Sequence, residues 1–482
     1  MRPYNQTLLC DFYELTMGNG YLLSGKKDMQ ACFDLYFRKV PDNGGYAIAA
    51  GLSEMIEFLE QLHFDKEDID YLRSKNQFSE EFLQYLADFK FECDVYAVEE
   101  GTPVFPNEPL VTVKGPAIQA QLLETMLLLT INHQSLIATK ANRIVRAAQG
   151  RPVFEFGSRR AQGSNAAILG ARAAFVGGCA GTACACCEQL YGIPAVGTMA
   201  HSWIQMYDTE LEAFEAYARY YPDNCILLVD TYNVVKSGIP NAIKAYENVL
   251  KPLGKRLKGI RIDSGDITYL TKKVRKMLDE AGLEDCTIFI SNSLDEYIIR
   301  DILLQGAQIN SFGVGERLIT SKSEPVFGGV YKLVAIEKDG KYIPKIKLSE
   351  NVEKITTPGY KKIYRLFSNE TGNMVADLIA LHDEEFDFTK PITLFDPVYT
   401  WKKKTFENYR VEEILKPIYL NGKLVYKTPS VIESKKYCAE QVGKLWDEVK
   451  RFENPQTYYV DLSQKLWDVK HSLLSEGAGE KK

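Results

Sequence analysis

The chain has 482 residues, 45% of them hydrophobic and 25% charged, a composition too long for one ordinary core and suited to two or three domains that each bury their own interior. Its formal charge of −6 offers no basic field for nucleic acid or an anionic membrane, and no run of about 18 uninterrupted apolar residues marks a spanning helix. A small molecule is therefore the expected partner.

Taken in order, the N-terminal segment MRPYNQTLLCDFYELT lacks the continuous apolar core of a signal peptide, which predicts a cytoplasmic location and reduced thiols for the ten cysteines. Residues 1–130 read as an α+β domain: a helix over 8–21 carrying Asp11, Tyr13 and Glu14, an alternating strand over 31–38, and a helix over 53–62. Short β-branched runs punctuated by Gly and Pro follow over 95–113, as in a small antiparallel unit. Residues 117–149 then read as one long, mostly apolar helix leading into a second domain.

From residue 152 to about 315 one pattern repeats, a short strand, a few small or polar residues, then a helix. Strands are predicted at 153–156, 173–176, 195–197, 226–229, 259–262, 287–290 and 309–312. Asp266 is placed to cap a helix with Ile267, Leu270, Val274 and Leu278 on one face and Gly282 as its stop. Such alternation gives a parallel sheet with helical crossovers, and about seven units is nearer a closed barrel than a doubly wound sheet. The fold expected is α/β, a parallel barrel-like catalytic domain over 131–325 plus an α+β domain built from N- and C-terminal segments. Residues 326–482 supply strands near 328–336, 341–347, 364–367, 375–382 and 422–426, and helices over 437–452 and 462–474, which are expected to pack back on the N-terminal domain.

Parallel α/β folds bind ligands at the carboxyl ends of their strands. The polar residues of the second domain fall there: Ser158, Arg159 and Arg160; Thr198, His201 and Ser202; Asp230 and Thr231; Asp263 and Asp266; Ser291, Asn292 and Ser293; and Gly313, Gly315 and Glu316. Six such ends predict a single mouth. His201 is one of five histidines and can act as a base or be phosphorylated, although alone it reads as an ordinary hydrogen-bonded histidine. Alternation sends Arg261 and Asp263 to one side of their strand, where Arg261 suits a carboxylate and Asp263 with Asp266 suits ribose hydroxyls or a hydrated Mg²⁺. The alternative is a structural Arg–Asp network. The glycines 313 and 315 can turn backbone N–H groups towards an anion, with Thr320 and Ser321 as further donors, in a loop that is not a Walker A motif. Cys179, Cys184, Cys186 and Cys187 lack zinc-site spacing and read as small hydrophobes at a close helix contact.

With these residues laid out, the chain resembles the nicotinate phosphoribosyltransferases of the type II phosphoribosyltransferase fold. The motifs that carry the resemblance are DFYELTMGNGY over 11–21, FEFGSRRAQG over 154–163, GTMAHSW over 197–203, RIDSGD over 261–266, SNSLDE over 291–296, FGVGERLITS over 312–321 and GGVYKLV over 328–334. The resemblance implies transfer of phosphoribose from phosphoribosyl pyrophosphate to nicotinate, giving nicotinate mononucleotide and pyrophosphate in NAD salvage, coupled to ATP hydrolysis with Mg²⁺. It implies that His201 is the histidine ATP phosphorylates, and that Tyr13 and Phe156 flank the pyridine ring, Tyr13 from the partner subunit of a homodimer with shared active sites. It further implies that Arg159, Thr198 and Arg261 contact nicotinate or the adjoining ribose, that Asp263 serves the ribose or its Mg²⁺, and that Gly313, Gly315, Thr320 and Ser321 hold the 5′-phosphate. Ser202 and Asn292 complete the expected substrate-binding set, with Asp266 a second metal candidate.

Three other readings are weighed. A nicotinamide-using relative favours a nearby carboxylate acceptor, which residues 174–183 do not offer. A quinolinate-type enzyme calls for more basic groups. A catalytically silent, ligand-sensing barrel fits poorly with His201, Arg261 and Asp263 standing together.

Overall fold

A computed structural model of the chain describes residues 5–291, 293–351 and 354–477. The chain divides into two compact units. One is built from Met1–Leu136, Val326–Pro429 and Lys436–Lys482, the other from Ile137–Pro325 and Ser430–Lys435.

The first unit centres on a seven-stranded sheet. Its order is Lys341–Pro344, Val330–Lys338, Gln30–Tyr36, Val111–Pro116, Asp94–Ala97, Lys416–Leu420 and Lys423–Leu424. All the pairings are antiparallel, so strands from both ends of the sequence interleave: Phe33 lies opposite Val113 on one side and Leu333 on the other. Val95, Val111, Val113, Phe33 and Leu35 bury into one apolar cluster with Ile418 and Tyr419 of the C-terminal segment. The first helix is Phe12–Leu23, opened by a reciprocal capping box between Asp11 and Glu14, so the chain enters it later than the 8–21 reading. The long helix expected over 117–149 is two helices, Ala117–Gln121 and Glu124–Ala147. The break lets consecutive leucines bury apart, Leu122 with Phe82 and Ile118, Leu123 in the main cluster. Towards the C-terminus the helix expected over 437–452 is Val431–Gly443, because Ser430 and Glu433 form a Ser-x-x-Glu cap: Ser430 N and Oγ each donate to Glu433 Oε2 at 2.8 Å.

The second unit holds a parallel sheet. Its strands are β1 (Val153–Glu155), β2 (Gly181–Thr182), β3 (Ile226–Leu228), β4 (Gly259–Ile262), β5 (Thr287–Ile290) and β6 (Ser311–Val314), in the order β2-β1-β6-β5-β4-β3. Five of the seven predicted strands lie in it, β6 shifted by two residues. The strand expected at 173–176 is instead the last turn of the helix Ser164–Val176. That stretch, GARAAFV, is alanine-rich, and alanine is the best helix former, whereas the true strand is a two-residue segment too short to leave a pattern. The segment expected at 195–197 contributes a single parallel bridge, Ala195 to Thr182. Among the described residues no pairing joins this edge to β3, so the sheet is α/β and parallel but not hydrogen-bonded into the closed barrel that was expected.

Cys187 buries in a small cluster with Ala171, Phe175 and Ile193, with Cys184 half-buried against it and Cys179 buried elsewhere, as the close-packing reading has it, but Cys186 is exposed and packs as no hydrophobe would. No described helix is long and apolar enough to cross a membrane.

Candidate active site

The site is built where β3, β4 and β5 end. In β4 the alternation works as read: Ile260 and Ile262 are fully buried, while Arg261 and the following Asp263 point the other way and meet at 3.3 Å. The Arg261 guanidinium spends its fork on three strand ends. Its Nε donates to Ser291 Oγ at 2.6 Å and its Nη1 to Thr198 Oγ1 at 3.2 Å, and it lies 5.8 Å from the centre of the Phe156 ring. Ser291 Oγ in turn donates to Asp263 Oδ1 at 2.6 Å, closing a triangle of arginine, serine and aspartate.

His201 opens the helix His201–Gln205. Its Nδ1 sits 3.0 Å from Thr231 Oγ1, and its Nε2 lies 3.9 Å from Asp263 Oδ2. The threonine hydroxyl can accept from a protonated Nδ1 or donate to a bare one, so the contact fixes the orientation of the ring and is open to either tautomer. The His201 side chain is 42% exposed and Asp263 is 29% exposed, so solvent and ligand reach both. Asp230 accepts from Asp263 N at 2.9 Å and from Ser264 Oγ at 2.6 Å through one oxygen, and its other oxygen is buried without a hydrogen-bond partner among the described residues. A buried carboxylate oxygen left unpaired is costly unless a cation or ligand meets it.

A second shoulder of the site follows β1 and β6. Phe156 packs on Phe289 with ring centres 5.4 Å apart, and a Cβ at Gly313 would lie 2.8 Å from carbons of both rings, so only glycine permits this approach. Gly315 is tight to a lesser degree, since a Cβ there would sit 3.0 Å from the Phe156 carbonyl oxygen. Behind them Glu155 is fully buried, takes hydrogen bonds from Gly157 N and from Thr182 Oγ1, and has its pKa raised because burial outweighs those donors. It fixes the turn that leads to Arg159.

The expected site residues divide accordingly. Thr198, His201, Arg261 and Asp263 are joined by direct polar contacts, with Phe156 against Arg261. Arg159 and Ser202 are exposed at neighbouring strand ends. Thr320 Oγ1 donates to Glu316 O at 2.7 Å, and Ser321 is buried, its hydroxyl donating to Glu324 O at 3.0 Å. Asp266 caps the helix Ile267–Glu280 by accepting from Tyr269 N at 2.8 Å. Tyr13 belongs to the other unit, on the helix Phe12–Leu23, and is 43% exposed. Asn292 lies outside the described residues. No group of three or more metal-capable side chains gathers among the described residues. Ser291, Asp230 and Thr231, read as polar residues of the mouth without an individual role, take their places in the site. Glu155 joins it from within a strand, where a buried carboxylate leaves no signal in the sequence.

Family models match three stretches: the nicotinate phosphoribosyltransferase N-terminal domain over 8–132, the nicotinate phosphoribosyltransferase family over 152–383, and its C-terminal domain over 360–470. The chain belongs to the nicotinate phosphoribosyltransferase family. It is 42% identical to a nicotinate phosphoribosyltransferase of Bacillus subtilis, covering 98% of this chain and 95% of the relative, and 31% identical to the human one, covering 98% of each. The crystal structure of human nicotinic acid phosphoribosyltransferase superposes with a TM-score of 0.84 at 29% identity, covering 97% of this chain and all of that one. A nicotinate-nucleotide pyrophosphorylase from Pyrococcus furiosus superposes with 0.69 at 26% identity, covering 92% of this chain and 99% of that one. Membership of the nicotinate phosphoribosyltransferase family extends through residues 400–470, where the sequence offered no motif.

Proposed function

We propose that this protein transfers phosphoribose from phosphoribosyl pyrophosphate to the ring nitrogen of nicotinate, releasing pyrophosphate, as a step of NAD biosynthesis. The observation that carries the reading is the Arg261–Ser291–Asp263 triangle with Thr198 and His201 around it, on a chain of this family. Arg261 presents a planar cation beside the Phe156 ring, suited to orient a pyridine carboxylate. Asp263 meets ribose hydroxyls, and the N–H groups of Glu316 and Arg317 at the turn after Gly315 take the 5′-phosphate, joined by the Thr320 hydroxyl once it leaves Glu316 O. Positioning and charge stabilisation suffice, because the leaving pyrophosphate departs as an oxocarbenium-like centre develops and the pyridine nitrogen waits in line.

Mg²⁺ fits this donor set. Asp230 keeps a buried oxygen without a partner, and Mg²⁺ takes one or two carboxylates and completes its shell with water and substrate phosphates. Asp230 and Asp263 would hold it, and bound there it would neutralise charge on the departing pyrophosphate. Asp266, committed to its helix cap, is the weaker ligand.

ATP coupling runs through His201: Nε2 forms a bond to the γ-phosphorus of ATP as the bond to the ADP oxygen breaks, and the Thr231 contact holds the ring so that Nε2 faces the mouth beside Asp263. The segment 195–201, bridged to β2 at Ala195, stands between the two edges of the sheet and meets the loop after β3 where His201 touches Thr231. A second copy of the chain supplies Tyr13 to the pyridine. The test is pyrophosphate release with nicotinate or nicotinamide, with and without ATP, for wild type and His201→Ala. Nicotinate-dependent release, with ATP stimulation absent from the mutant, is expected. Release with nicotinamide alone, or stimulation that survives the mutation, overturns the substrate or the coupling residue respectively.

A further inference from the structure

A charged cluster outside the mouth holds two of its loops. Glu296, fully buried next to Asp295, meets two cations from the helix Glu124–Ala147: Lys140 Nζ at 3.0 Å and Arg143 Nε at 2.8 Å, all three side chains at most 7% exposed. Lys140 Nζ also donates to Ser323 Oγ at 2.8 Å, just past the Gly313–Ser321 loop. Asp295, the residue before Glu296, caps the helix Glu296–Leu304 by accepting from Tyr297 N and Ile298 N, and its other oxygen pairs with Arg317 of the glycine loop. One rigid helix therefore grips the loop after β5 through Glu296 and the loop after β6 through Ser323, while Asp295–Arg317 ties the two loops to each other.

Stability is a poor reason for such a cluster. Burying three charges costs desolvation that their attraction barely offsets, and well-packed apolar side chains of similar volume would hold a core at least as firmly. What the ionic hydrogen bonds add to packing is direction, which ties two loops to one another and to the helix in a single arrangement. We propose that Lys140, Arg143 and Glu296 are positioning residues for phosphoribosyl pyrophosphate. They set the register between the glycine loop and the Ser291 loop that steadies Asp263. The inference rests on reading the Gly313–Ser321 loop as the 5′-phosphate cradle.

Its test measures KM for phosphoribosyl pyrophosphate and for nicotinate separately, with the thermal midpoint, in wild type, Lys140→Met, Ser323→Ala and Gly315→Ala. Lys140→Met should raise KM for phosphoribosyl pyrophosphate about tenfold while leaving KM for nicotinate unchanged, within the range a small displacement of a reacting group produces. Ser323→Ala, at an exposed position, should shift the same constant in the same direction by less, with no change in midpoint; it decides the matter if Lys140→Met does not fold. Gly315→Ala acts on the loop directly. If it leaves KM for phosphoribosyl pyrophosphate unchanged, the cradle reading fails and the proposal with it. If it raises that constant while Ser323→Ala and a folded Lys140→Met do not, the positioning role alone is overturned, as it is by equal shifts in both KM values.

Discussion

Arg365–Asp377 in the first unit and Arg261–Asp263 in the second are the same pair of residue types put to opposite uses. Arg365 is 1% exposed and Asp377 fully buried; Nε and Nη2 grip the carboxylate at 2.9 and 2.6 Å, Nη1 donates to Pro103 O at 2.8 Å, and Tyr458 adds a hydrogen bond to Asp377 at 3.0 Å. Arg261 meets its aspartate at one longer contact of 3.3 Å, with side chains 14% and 29% exposed, and directs its other donors to hydroxyls and a backbone carbonyl. The first pair is closed, every strong donor matched by protein. The second is open, its donors resting on neutral groups that a carboxylate or phosphate can displace. An arginine held by weak partners near solvent is poised for a ligand, and one held by strong partners in the dry core is structural.

Breaking each pair should therefore move a different observable. Arg365→Met leaves Asp377 charged, buried and unpaired, and should cost about 3–5 kcal/mol, read as a fall in the denaturation midpoint, with the activity of the folded fraction retained. Arg261→Lys keeps the charge and loses the planar fork; kcat/KM should fall about a hundredfold with the midpoint unchanged. A midpoint that drops in Arg261→Lys as it does in Arg365→Met would erase the distinction.

The closed pair has a pH signature of its own. Glu108 stands 3.8 Å from Arg365, and burial, reinforced by the neighbouring Asp377 charge, pushes its pKa well above the usual carboxylate range. A raised folded-state pKa means stability that is full below the unfolded value, about 4.3, and is lost as pH rises through the folded one. Glu108→Gln should thus flatten the decline of the midpoint on the alkaline side and leave the acid side unaltered. An unchanged profile would mean that Glu108 is ionised beside Arg365 and that the cluster holds two negative charges.

This difference explains what was legible in the sequence. Arg261 and Asp263 could be chosen because charged residues alternating with Ile260 and Ile262, at a strand end in line with five other polar ones, must meet a ligand, a metal or one another. Arg365 alternates in the same way, in KKIYRLFS, and nothing local distinguishes it; its partners at 103, 108, 377 and 458 are remote in sequence. The parallel strands were readable where four residues repeat an apolar pattern and failed at Gly181–Thr182, whose place is fixed by pairing with Phe154 and Glu155. Closure of the sheet was beyond reach, because counting strand-like segments says nothing of whether the last pairs with the first.

The smallest expected effect sharpens the open side. Thr231 is the neutral partner of His201 Nδ1 at 3.0 Å, and Thr231→Val keeps the shape while removing that partner. A net hydrogen bond of this kind contributes about 0.5–1.5 kcal/mol, so the ATP-stimulated rate of pyrophosphate release should fall by no more than about tenfold, with the midpoint held. The ATP-independent rate should not move, because only the phosphoryl transfer needs the His201 ring held in this orientation. A fall of equal size with and without ATP would place the Thr231 hydroxyl in the service of the phosphoribosyl substrate, and His201 would then need no bias from it to be phosphorylated.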